Sequence, residues 1–176
     1  MKITVLVENT AESPGLLAEH GLAFWIEAGS QCILFDTGQG NVLLNNAYRL
    51  GISLSRVDAI VLSHGHYDHT GGLADALRGN RPEAVYAHPA AMKPKFARNK
   101  DGTSREIGVP SLCEWAVQRR PSQLVLTEKP TPISNRFTAT DLCRASRMSW
   151  PGLPQNCLAN RLCVPGQCGR CSLGGA

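Results

Sequence analysis

No stretch of this 176-residue chain approaches the roughly 20 consecutive apolar residues that a membrane span needs, which argues for a soluble protein. The N-terminus "MKITVLVENT" lacks a signal-peptide pattern: its apolar run is short, interrupted by Thr4 and followed by Glu8, which reads as a first strand in a cytoplasmic protein. A basic stripe is missing too. The formal charge is +4, yet residues 1 to 136 hold 14 basic and 13 acidic side chains, whereas residues 137 to 176 hold 4 and 1. The body charges are scattered without aromatic interleaving, which argues against a nucleic-acid partner. The seven cysteines are odd in number and accompany no secretory signal, which argues against a disulfide framework. The length fits one domain with a core of its own.

What the chain does have is a body of alternating apolar runs. Residues 2 to 9 read as a strand. "LAFWIEAGSQCILFDTG" (22 to 38) reads as two runs hinged at Gly29 and Ser30, a hairpin. In "NVLLNNAYRLGI", Val42, Leu43, Ala47 and Leu50 share a helical face and Gly51 supplies the stop. "VDAIVLS" (57 to 63) is a buried strand, "TGGLADALRGN" a helix beginning at the glycines, and "PEAVYAHP" (82 to 89) another strand. A looser basic stretch runs from Lys93 to Arg105. Ser111 followed by Glu114 has capping-box spacing, which predicts a short helix starting there, and "QLVLTE" (123 to 128) is one more strand. The expectation is an α/β body.

The chemistry concentrates in "LSHGHYDHTGG", where His64, His66, Asp68 and His69 occupy six positions of a chain with five histidines in all. Imidazole nitrogens and a carboxylate oxygen are the ligand types that hold zinc, iron or manganese. His64 and His66, two apart on chain leaving a strand, project the same way, while Asp68 and His69 follow on the turn into the helix. Two pairs presented differently suit two neighbouring divalent ions, zinc first, with iron or manganese as alternatives. Such a site is hydrolytic, and Asp68 is the candidate catalytic residue, able to bind a metal and orient water. A surface turn that is histidine-rich by chance has odds on the order of one in ten thousand at this composition. The competing class is a metal-binding or structural module without turnover.

Other candidates carry two readings each. Asp36 in "ILFDTG" is either a partner that holds a ligand histidine or a turn-starting aspartate. His88 closes a strand beside a proline and reads as structural before it reads as functional. His20 in "AEHGL" either lines a pocket or sits in a solvated loop. Lys93, Lys95 and Arg98 either contact an anionic substrate or form a solvated basic loop.

"VLSHGHYDHTGGL", with "ILFDTGQG" upstream, resembles the metal-binding signature of the metallo-β-lactamase superfamily. "VLVENT", "EHGLAFWIE" and "VYAHP" are similar to the branch of dihydropterin ribofuranosylaminobenzene phosphate synthase-like proteins. The resemblance covers residues 2 to about 136. It implies a four-layer αββα sandwich, present here mainly as its N-terminal half, with His64 and His66 on one metal and Asp68 and His69 on the other. It also implies hydrolysis of esters, thioesters, lactams or phosphodiesters, and a small-molecule substrate, anionic or phosphorylated in this branch. The family draws further histidines from the second half of the sandwich, and no histidine follows His88 here.

Residues 1 to 136 are therefore expected to form the metallo-β-lactamase-like domain and residues 137 to 176 an irregular tail. That tail contains no lysine, histidine or isoleucine, and it holds Cys143, Cys157, Cys163, Cys168 and Cys171. The last four offer thiolates for a structural zinc. The favoured alternative is an out-of-frame or truncated continuation, since "DLCRASRMSW" back-translates so that one frame over it reads GPVPRVTDVL. A first sheet left without its second would expose an apolar face and favour self-association.

Overall fold

The hairpin expected at Gly29 and Ser30 is the first landmark of the computed structural model, which describes residues 1–80, 82–120, 123–140 and the backbone of Arg161–Cys163. Strand β1 (Lys2–Val7) pairs antiparallel with β2 (Ala23–Ala28), and β2 with β3 (Gln31–Phe35), across a turn in which Gly29 takes φ +63°. Helix α1 (Leu43–Arg49) follows, then β4 (Ala59–Val61), α2 (Tyr67–Thr70), α3 (Leu73–Leu77) and β5 (Ala84–Ala87). A short hairpin, β6 (Phe96–Arg98) and β7 (Ser104–Glu106), precedes α4 (Ser111–Gln118) and β8 (Leu124–Leu126). Strands β9 (Thr131–Pro132), β10 (Thr138–Thr140) and β11 (Arg161–Cys163) form a separate small sheet.

The main sheet runs β1-β2-β3-β4-β5-β8, with β3, β4, β5 and β8 mutually parallel. The period of two in a strand sorts its residues between two faces. Cys32, Leu34, Ile60, Leu62 and Val85 point to the helical side, where they meet Leu43 and Ala47 of α1, Leu73 and Leu77 of α3, and Cys113 and Val117 of α4. Ile26, Ile33, Ala59 and Val61 point to the other side and pack on Phe137, which is completely buried. Phe24, Phe35 and Tyr86 remain half-buried there. The layers are thus helices, main sheet and a small second sheet; among the described residues no helix lies beyond that second sheet. Also among the described residues, no helix is long and apolar enough to cross a membrane. Cys32 and Cys113 are buried free thiols.

Several local expectations need correction. Leu50 is exposed, and its place on the inner face of α1 is taken by Asn46. The Asn46 amide accepts from the Leu17 N–H at 2.9 Å and donates to the Leu6 carbonyl at 2.7 Å and the Leu17 carbonyl at 2.8 Å. It ties α1 to β1 and to the loop that follows. Asn46→Ala would leave these buried backbone groups unpaired, and a loss of about 2–3 kcal/mol is expected in urea unfolding. The basic stretch 93–105 is a hairpin rather than a loose segment. Pro110, and not Ser111, holds the cap position of α4, and no side chain caps it. The helix expected at the glycines is α3, with Gly72 at its cap, and the short turn α2 is an addition ahead of it. Strand β10 falls just inside the segment read as irregular; the cysteine set at 143 to 171 and the out-of-frame reading lie outside the described side chains.

Candidate metal centre

The parallel strands deliver their functional residues at one edge, because each leaves its C-terminal end on the same side of the sheet. Asp36 follows β3, Ser63 to His69 follow β4 and its loop, and His88 follows β5. Asp36 is fully buried and holds φ +57°, in the left-handed region that short polar side chains tolerate better than most. Its Oδ1 accepts the Ser63 backbone N–H at 2.7 Å, and its Oδ2 accepts the Ser63 hydroxyl at 2.6 Å. The same Oδ2 stands 2.8 Å from Nδ1 of His69.

These contacts fix the protons. The Ser63 hydroxyl has one hydrogen, and the Asp36 carboxylate takes it. The 2.9 Å contact between Ser63 Oγ and His64 Nδ1 must therefore be donated by the imidazole, which leaves His64 Nε2 as a lone pair. By the same argument His69 Nδ1–H donates to Asp36, and Nε2 is left open. Ser63 is a residue the sequence reading missed; its one visible signal was a hydroxyl directly preceding the cluster.

The three imidazoles crowd together, His64 and His66 edge to face with centroids 4.5 Å apart and His64 and His69 tilted at 4.1 Å. His64 Nε2 lies 3.0 Å from His66 Nδ1, and His69 Nε2 lies 3.7 Å from Asp68 Oδ2. Two ligands at about 2.1 Å from one tetrahedral ion sit about 3.4 Å apart, so each pair is close to the spacing a shared ion requires. Among the described residues, however, no group of three or more His, Cys, Asp or Glu could hold a metal ion as it stands. The donor chemistry fits a metal, and the geometry supplies two neighbouring pairs.

Electrostatics favour the neutral form of His64 and His66. Burial, reinforced by the neighbouring His69, His66 and Lys95 charges, holds His64 down at about 3, and burial also lowers His66. Burial alone would lower His69 as well, but the hydrogen bond and charge of Asp36, with Asp68 adding to them, outweigh it and raise the imidazole. That shift favours a second proton on the ring, which an ion bound at Nε2 would have to displace.

The other candidates lie around the cluster. His88 is buried, with Nδ1 accepting from the Ala90 N–H at 3.0 Å and Nε2 4.0 Å from Glu128. Lys95 Nζ donates to the carbonyls of Ala90, Ala91 and Lys93, closing the turn Pro89–Met92 against the loop at Gly65. Lys93 and Arg98 are exposed. His20 was read as either pocket or loop, and its Nε2 lies 3.2 Å from Asp68 Oδ2.

A sequence profile described as the metallo-beta-lactamase superfamily matches residues 17–152. An uncharacterized protein of Methanocaldococcus jannaschii is 40% identical over 99 residues, which is 56% of this chain and 38% of that protein. From the same organism, 7,8-dihydropterin-6-methyl-4-(beta-D-ribofuranosyl)-aminobenzene-5'-phosphate synthase is 40% identical over 105 residues, 55% of this chain and 35% of that one. Ribonuclease Z of Salinibacter ruber is 38% identical over 80 residues, 44% and 23% of the two chains. The matched segments thus span less than two-fifths of these relatives. Among solved structures, the metallo-β-lactamase MIM-1 from Novosphingobium pentaromativorans aligns with a TM-score of 0.46 and 16% identity over 69% of this chain and 44% of that one. By the profile match over most of its length, this chain belongs to the metallo-β-lactamase superfamily.

Proposed function

We propose that the chain is a metal-dependent hydrolase domain with a two-metal site, His64 and His66 serving one divalent ion and Asp68 and His69 the other. Zinc is the first choice of ion, with iron or manganese as alternatives. The observation that carries this reading is the set of contacts that Asp36 and Ser63 make with the two rings. Asp36 engages Nδ1 of His69 and Ser63 engages Nδ1 of His64, so Nε2 of each ring is the nitrogen left for a metal. When bound, such ions bring the pKa of water to about 7 and offset charge developing on the electrophile. Asp68, nine-tenths buried beside His69, would both bind an ion and accept a hydrogen bond from that water. Asp36 and Ser63 hold the two rings in their tautomers throughout.

The substrate is proposed to be a small ester, thioester or phosphodiester. Exposed Lys93 and Arg98, on the segment that flanks the cluster, favour an anionic one. Self-association through the half-covered face of the main sheet is part of the same proposal, as is a cytoplasmic location.

The test is His66→Ala, with zinc measured by equilibrium dialysis and turnover on bis(p-nitrophenyl) phosphate and on an acyl thioester. Zinc affinity is expected to fall about 10–100-fold or more for one ion, with hydrolysis falling alongside. A wild-type chain that takes up no zinc sinks the reading. One that binds zinc and turns over neither probe favours the non-catalytic module instead.

A further inference from the structure

The loop ahead of β2 brings a histidine to the cluster from outside it. His20 Nε2 lies 3.2 Å from Asp68 Oδ2, and the same oxygen lies 3.7 Å from His69 Nε2. Both separations run from one Asp68 oxygen and bracket the roughly 3.4 Å expected between ligands of one tetrahedral ion, while the three groups as they stand do not yet form a metal-holding set. Of the five histidines, three belong to the cluster and His88 is engaged by Ala90 and Glu128. His20 is the imidazole that remains.

Its backbone is held in place from both sides. Glu19 accepts the N–H groups of Gln39 and Gly40 on Oε1 at 2.9 and 3.2 Å, and that of Asn41 on Oε2 at 3.1 Å. The Gln39 side-chain amide donates to the His20 carbonyl at 2.7 Å, and the Leu22 N–H donates to the Asp68 carbonyl at 3.3 Å. A Cβ on Gly21 would fall 2.2 Å from that same carbonyl oxygen, so only glycine lets the two segments meet. The side chain itself is 67% exposed and free to turn about its own torsions, whereas the main chain that carries it is clamped. A solvated loop histidine needs no such clamp.

We propose that His20 is a third donor to the ion held by Asp68 and His69, an inference that rests on the two-metal reading above. His20 Nε2, already 3.2 Å from Asp68 Oδ2, would need only a small turn of the ring to share an ion with that pair. His20, Asp68 and His69 then give one ion three protein ligands, with positions left open for water and substrate, as a catalytic site requires.

The test is zinc binding by equilibrium dialysis with the full chain, comparing wild type, His20→Ala and His88→Ala, alongside thermal unfolding of each metal-free protein. The expected result is two ions in the wild type. In His20→Ala, affinity for one ion falls by at least the ~10–100-fold typical of losing a supporting partner, while the other ion is unchanged. His88→Ala keeps both. If His20→Ala binds both ions as tightly as wild type, His20 is no ligand and the two-metal reading stands without it. If it loses both and melts earlier, His20 holds the loop rather than the metal, and the proposal falls. If the wild type binds no zinc, the underlying reading fails and takes this one with it.

Discussion

Gly65→Ala is expected to lose the folded centre, with at least about 4 kcal/mol of stability gone, which is about a thousandfold in the folding equilibrium. A Cβ at this position would lie 1.8 Å from the Ala91 carbonyl oxygen and 2.6 Å from its carbon, against an ordinary contact distance of about 3.5 Å. Neither side can retreat cheaply. The chain at Gly65 is fixed by its neighbours, since His64 is hydrogen-bonded to Ser63 and the His66 carbonyl accepts from His69 and Thr70. The turn Pro89–Met92 is fixed by the His88 ring on the Ala90 N–H and by Lys95 Nζ on the Ala90 and Ala91 carbonyls. Gly79→Ala is the control: it has open space around it and φ +73°, so only left-handed strain of about 1–2 kcal/mol is expected. Urea unfolding of both variants separates the cases. Equal midpoints would mean that the cluster loop does not approach the 89–92 turn as closely as the structure places it.

Much of this was legible because it is local or periodic. The alternation of Cys32, Ile33 and Leu34, and of Ala59, Ile60 and Val61, assigns each residue to a face, and the structure sorts them that way. The cluster could be read because its four side chains lie within six positions. What could not be read depends on contacts distant in sequence. Ser63 gains its role from Asp36, 27 residues earlier, and Glu19 gains its role from N–H groups 20 to 22 residues later. The β6–β7 hairpin is short and largely exposed, so it carries no apolar alternation; its turn is held instead by Asn99, Asp101 and Thr103. Composition misled at Phe137, where the texture changes yet the ring is wholly buried against Ile33 and Val61. A core selects shape and apolar area, and it is indifferent to the composition of the sequence that supplies them.

Asp36→Asn is expected to uncouple folding from metal binding, because it keeps the shape of the buried carboxylate and reverses the two hydrogen bonds made at Oδ2. The Ser63 backbone N–H is a fixed donor, so the asparagine oxygen must stay opposite it, at the position of Oδ1. The amide nitrogen is then forced into the position of Oδ2, facing Ser63 Oγ and His69 Nδ1. A donor in that position requires His69 Nδ1 to accept, which moves the imidazole proton to Nε2 and removes the lone pair offered to a metal. Asparagine tolerates the left-handed backbone of residue 36, so the fold survives with a loss of about 1–3 kcal/mol, while zinc affinity falls by at least about 10–100-fold. Asp36→Ala differs in kind: it adds left-handed strain and leaves the Ser63 N–H buried without a partner, and about 4 kcal/mol or more of stability is expected to go. The imidazole nitrogen shifts of His69 in the metal-free protein read the tautomer directly. A signal unchanged by Asp36→Asn, together with zinc affinity equal to wild type, would mean that Asp36 fills space beside His69 without directing its proton.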